Sequence, residues 1–89
     1  MADDDHKSEV ALQREVDKAC KRIEIGATYR HYKQKDYKVL RIAINESDME
    51  LTVVYQALYG PGLVFLRPVK AWLETVVVDG QKVPRFTKV

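Results

Sequence analysis

The sequence predicts a mainly β domain, a small barrel or open roll, behind one N-terminal α-helix. Three observations predict it. Apolar residues alternate with polar ones in short runs after Gly26. Turn-forming clusters separate those runs at regular intervals, giving about five short strands in roughly sixty residues. A helical apolar spacing occurs only once, before Gly26.

Residues 1–7 (MADDDHK) are polar and acidic and are expected to form a disordered tail, with His6 given no role. Residues 8–25 form the predicted amphipathic helix, its helical body ending at residue 24. Ser8 is the expected N-cap, Glu9 lies in the first turn, and Leu12, Val16, Ala19, Cys20 and Ile23 recur on one face. Asp17 is spaced to pair with Lys21, and Gly26 is the stop signal. The apolar stripe requires a cover, either its own β domain or a second chain; a short lone helix is marginal in water, which favours the former.

Residues 26–89 form the predicted β domain. Thr28–Lys33 is the first strand, and Gln34-Lys35-Asp36 a turn. Tyr37–Ile44 is the second strand, with Leu40, Ile42 and Ile44 expected on one face and Val39 and Ala43 on the other. The polar turn Asn45–Asp48 leads to Glu50–Leu58, where Leu51, Val53, Tyr55 and Ala57 share a face. Tyr59-Gly60-Pro61-Gly62 is a tight loop, Leu63–Arg67 a short strand ended by Pro68, and Val69–Leu73 a helical turn or irregular passage. Asp79-Gly80 between Thr75–Val78 and Val83–Thr87 signals a hairpin. A two-residue loop there pairs Val78 with Gln81 and Val76 with Val83 and lets Glu74 meet Arg85; a four-residue loop pairs Val78 with Val83.

The segments GATYRHYKQKDYKVL (26–40), ELTVVYQALYG (50–60), RP (67–68) and VDGQKVPRF (78–86) together resemble the bacterial domain-of-unknown-function family 1653 over residues 26–89. The resemblance implies a compact SH3-like β-barrel and no particular activity. The family pattern places a His between an Ala and a Ser-Glu in the loop after the second strand. Here the stretch is Ala43-Ile44-Asn45-Glu46-Ser47, without it. The N-terminal helix lies outside the resemblance.

The chain of 89 residues and net charge +2 is one small domain, too short for a catalytic domain plus a substrate domain. Residues 1–25 carry seven acidic and five basic side chains, and residues 26–89 six acidic and ten basic, so the β part is mildly basic. Cys20, the single cysteine, has no intramolecular partner for a disulfide. No apolar run spans a bilayer and no signal-peptide pattern is visible, so the expectation is a cytoplasmic protein without a membrane.

Tyr29-Arg30-His31-Tyr32-Lys33 interleaves rings with bases, a composition suited to stacking on nucleobases and meeting phosphates, or to gripping a proline-rich or acidic peptide. The favoured reading makes the same tyrosines half-buried core residues with wet hydroxyls and leaves Arg30 and Lys33 solvated. His31 has no neighbouring Cys or His to complete a metal site and no nucleophile beside it. There is no G-x-S-x-G elbow and no phosphate-cradling glycine loop before a helix. Tyr55, Gln56, Tyr59 and Arg67 flank the Gly-Pro-Gly loop, which either admits a ligand to the backbone or is a turn needing positive φ. Trp72 is read as a partly buried cap of the core or a binding platform, and Arg85 as a partner of Glu74 or an anion contact. Glu46, Asp48 and Glu50 lack calcium-loop spacing.

The expectation is a non-catalytic binding module. An aromatic surface of Tyr29, Tyr32, Tyr55, Tyr59 and Trp72 would recognise a protein or peptide. The alternative is RNA or single-stranded DNA, bound by the same tyrosines with Arg30, Lys33, Arg67 and Arg85. A small-ligand pocket or enzyme around His31, with Glu74 or Asp36 as its carboxylate, is the third reading. Neither cofactor nor metal is expected, and the oligomeric expectation is a monomer or a weak homodimer through the N-terminal helix. Whether basic residues converge on the aromatic face discriminates the readings.

Overall fold

The computed structural model describes residues 8–89, so the expected tail lies outside the described residues. The chain folds as helix α1 (Glu9–Arg22), strands β1 (Thr28–His31), β2 (Asp36–Asn45), β3 (Glu50–Ala57) and β4 (Val64–Pro68), a single-turn helix α2 (Val69–Trp72), and strands β5 (Thr75–Val78), β6 (Gln81–Pro84) and β7 (Phe86–Lys88). No described helix is long and apolar enough to cross a membrane.

The Ser8 hydroxyl caps α1 by accepting from the Ala11 N–H at 3.1 Å. Leu12 and Ala19 are buried, and Ile23, at the C-cap, is fully enclosed in the core of its own domain. Asp17 accepts from the Gln13 amide at 2.9 Å, where the sequence had suggested Lys21.

Five strands form one antiparallel sheet in the order β4-β3-β2-β1-β7, and β5 and β6 form a separate hairpin. Among the described residues no ladder joins β4 to β7. The barrel expected from the sequence is therefore not closed by backbone hydrogen bonds, and the sheet keeps two edges. The last expected strand divides in two, because Arg85 interrupts it: β6 pairs with β5, and β7 crosses to β1. The hairpin turns on two residues, with Asp79 at φ 51° and Gly80 at φ 79°, and pairs Val78 with Gln81 and Val76 with Val83.

One expectation about faces fails. The register shifts between Val39 and Arg41, so Leu40 is an extra residue in β2. This bulge reverses the alternation. Val39 pairs with Tyr55 and Ile42 with Val53, so Val39 and Ile42 face the core together. Strict alternation would have separated them.

The core lies on that face. Ile23, Tyr29, Val39, Val53, Tyr55, Trp72 and Phe86 form one buried cluster. Trp72, 2% exposed, lies flat on Phe86 at 3.6 Å and 4° and meets Tyr55 and Tyr29 edge-on at 5.0 and 5.5 Å. Helix α2 carries the indole across the sheet.

Candidate functional site

The same sheet face continues past the core into an open pocket of about 380 Å³. Its walls come from the β1–β2 turn, the start of β2, the loop after β3, the end of β4 and the β6–β7 corner.

Backbone bonds fix each wall. His31 ends β1 opposite Phe86 of β7. The His31 N–H donates to Lys35 O at 2.8 Å and the Gln34 N–H to His31 O at 2.7 Å, closing a turn in which Gln34 takes φ 72°. The Tyr32 N–H donates to Arg85 O at 2.9 Å, and the Arg85 N–H to Glu74 O at 3.0 Å, so the turn, the corner and the hairpin base are tied together. Across the pocket, Gly60 and Gly62 have φ of 57° and 73°, and the Gln56 amide donates to Gly62 O at 3.0 Å. The Gly-Pro-Gly loop is thus a turn that needs positive φ and holds Tyr59 over β2.

The pocket is lined by cations and rings. Lys33, Lys35, Arg67 and Arg85 all reach it, and none of the described carboxylates lines it. Lys35 Nζ stands 4.5 Å above the Tyr59 ring, and the Arg67 guanidinium carbon lies 5.5 Å from the Phe86 centroid. Arg67 Nε donates to the Tyr55 hydroxyl at 3.3 Å. Arg85 donates to Glu74 Oε1 at 3.2 Å through one terminal nitrogen, while its Nε is buried with no acceptor. A buried charged donor without an acceptor is costly.

The electrostatics follow from this crowding. Partial burial, then Arg67, Arg85 and Lys33, lower the His31 pKa below its ordinary value. His31 Nδ1 accepts from the Lys33 N–H at 3.1 Å, which leaves the neutral ring's proton on Nε2. The Tyr37 and Tyr59 hydroxyls are 2.6 Å apart, and desolvation followed by that bond pushes the Tyr37 pKa up to about 12.

Of the site residues read from sequence, His31, Tyr32, Tyr55, Tyr59, Arg67 and Arg85 converge here. Tyr29, Arg30 and Trp72 do not. Tyr29 is buried, with its hydroxyl accepting from the Glu24 N–H at 2.8 Å. Trp72 is the core's lid rather than an outward platform. Arg30 is ion-paired to Asp36 at 2.8 Å, a contact that raises its own pKa and lowers that of Asp36. Sequence reasoning missed Lys35, Tyr37 and Phe86 as site residues. Lys35 sits in a turn, where a lysine looks merely solvated. Tyr37 carries a signal, since it begins a strand whose inward face is otherwise aliphatic.

Compared with known proteins, residues 27–88 match the family described as a protein of unknown function, DUF1653. A crystal structure of a DUF1653 protein from Bordetella bronchiseptica is 36% identical, with a TM-score of 0.68, over 76% of this chain and 90% of that one. The chain belongs to the DUF1653 family, over its β part. No curated protein matches it.

Proposed function

We propose that this chain is a non-catalytic recognition module that binds an acidic protein or peptide segment in the Arg67–Arg85–Lys33–Lys35 pocket. The observation that carries the reading is convergence: four basic side chains meet His31 and four tyrosines in one cavity that no described carboxylate lines. A flat aromatic groove for a proline-rich ligand has less support, because Tyr29 and Trp72 are consumed by the core. Carboxylates would take the free Arg and Lys donors, and the tyrosine rings would cover the aliphatic stems.

A second reading has its own observation. His31 and Tyr32 lie 4.5 Å apart at a tilt of 33°, and Tyr59 is 39% exposed, so rings beside bases can also stack on single-stranded nucleic acid. Anisotropy titrations at low salt separate the two, using a glutamate-rich peptide and a single-stranded oligonucleotide as probes. The peptide is expected to bind, with affinity falling as salt rises. Steeply salt-dependent oligonucleotide binding that exceeds the peptide's selects the second reading. Flat titrations with both overturn the pocket's role.

We infer that the open sheet, with the hairpin tied at its base, is a relaxed form of the SH3-like roll, its closure made by side chains across the core.

A further inference from the structure

Strand β4 is an edge, and its exposed side chains are apolar. Val64 and Leu66 are 53% and 69% exposed, and Leu63, Phe65 and Leu58 beside them are also exposed. Edge strands are ordinarily blunted by lysine, proline or a bulge. Here the first interruption is Arg67, followed by Pro68.

The ladder fixes which backbone groups face outward. The Ala57 N–H donates to Leu63 O at 2.9 Å, and Tyr55 pairs with Phe65 and Val53 with Arg67. In an antiparallel ladder hydrogen-bonded pairs alternate with non-bonded ones, so Leu63, Phe65 and Arg67 spend their backbone groups on β3. Val64 and Leu66 therefore point theirs away from the sheet, and no described group takes them.

We propose that β4 pairs with β4 of a second copy of this chain, antiparallel and two-fold about Phe65. In that register Val64 opposes Leu66 of the partner subunit, and each pair exchanges two hydrogen bonds, four in all. The next bonded positions would be Gly62 and Pro68. The Gly62 N–H already donates to Tyr59 O at 3.2 Å, and proline has no N–H, so no further donor is left unmatched there. The strand's free groups are thus complementary to themselves, in number and spacing.

Side chains and charge agree with the same register. Phe65 meets its own symmetry mate at the closer, non-bonded position, and Val64 and Leu66 pack across the other face. The paired segment carries no charge. The two Arg67 side chains would lie about 14 Å apart along the strands, beyond the screening length at physiological salt. Covering the five apolar side chains from both copies removes on the order of 1,000 Å² in total, the lower limit for a specific interface, so the dimer should be weak and reversible.

Two measurements test this on the full chain. Sedimentation velocity from micromolar to millimolar concentration should show a 10.3 kDa monomer converting to a dimer. Leu66→Lys should weaken that association at least tenfold without lowering the melting temperature. Amide hydrogen exchange supplies the register. Protection at Val64 and Leu66 should rise with protein concentration, while Phe65 stays protected throughout. A chain that stays monomeric to millimolar concentration overturns the proposal and leaves the edge to a foreign strand. A dimer untouched by Leu66→Lys but broken by Val10→Glu on α1 overturns it in favour of the helix. Concentration-independent exchange at Val64 and Leu66 overturns the register.

Discussion

One face of one sheet does two different things at its two ends. Toward α1 and α2, Tyr29, Val39, Val53 and Tyr55 are sealed beneath Ile23 and Trp72. Toward the β1–β2 turn, Tyr37, Tyr59, His31, Arg67 and Arg85 line an open cavity. The strands and the aromatic content are shared; the cover differs. Where a helix reaches across, rings become core, and where none does, the same rings stand beside cations and polar hydroxyls. Burial of a tyrosine here is decided by what α2 delivers, not by the tyrosine's own strand.

The largest expected difference between the two ends is in stability. Trp72→Ala removes the plane stacked on Phe86 and the edge contacts to Tyr29 and Tyr55, and should destabilise the fold by about 3–5 kcal/mol. For a domain this small that is most of the available stability. Urea denaturation checks it. A loss below about 1 kcal/mol would mean that the two ends are not distinguished by cover at all.

At the open end the order reverses. Lys35→Ala removes an exposed cation over Tyr59 and should leave the denaturation midpoint within about 0.5 kcal/mol of the parent. It should nevertheless weaken glutamate-peptide binding severalfold. Arg67→Ala costs more on both counts, since it also loses the Tyr55 hydrogen bond and the packing on Phe86: about 1 kcal/mol of stability and at least tenfold in affinity. Anisotropy and denaturation measured on the same variants test the separation. Equal losses in stability and binding would make these residues part of the core instead.

The two ends also differ in how much the sequence revealed. Most strand positions and the hairpin at Asp79-Gly80 follow from local chemistry, since turn residues and alternation act over a few positions, while the two-residue loop and the Glu74–Arg85 contact were one of two open readings that the ladder decides. The bulge at Leu40 did not, because nothing in YKVLRIAI marks an inserted residue; register is decided by pairing with β3. The split at Arg85 escaped for the same reason. VPRF reads as one run until Phe86 is needed under Trp72. Six site residues were legible as types, Tyr, His and Arg near turns. Their convergence was not, because it depends on β7 crossing beside β1 and on β4 bringing Arg67 over Phe86. Trp72 and Tyr29 were ambiguous in sequence because a ring on a strand fits core and surface alike.

The smallest expected effect is a titration, and it links the two ends. His31 sits where the closed part gives way to the open part, edge-on to Phe86 at 4.9 Å and facing Arg67, Arg85 and Lys33. Its native pKa lies below the ordinary value of 6.5, so the unfolded chain binds this proton more readily than the folded one. Its contribution is therefore fully present above about pH 6.5 and is lost as pH falls through the depressed native pKa. Denaturation midpoints should fall over that acidic window, and His31→Asn should flatten the slope. Binding should move the opposite way. Protonating His31 adds a positive charge to the pocket, so an anion that stays ionised should bind more tightly as the pH drops through the same window. By linkage, bound anion should raise the His31 pKa, which NMR titration of the imidazole reads directly with and without the peptide. A His31 pKa unmoved by peptide would place the bound anion elsewhere on the molecule, even if the peptide binds.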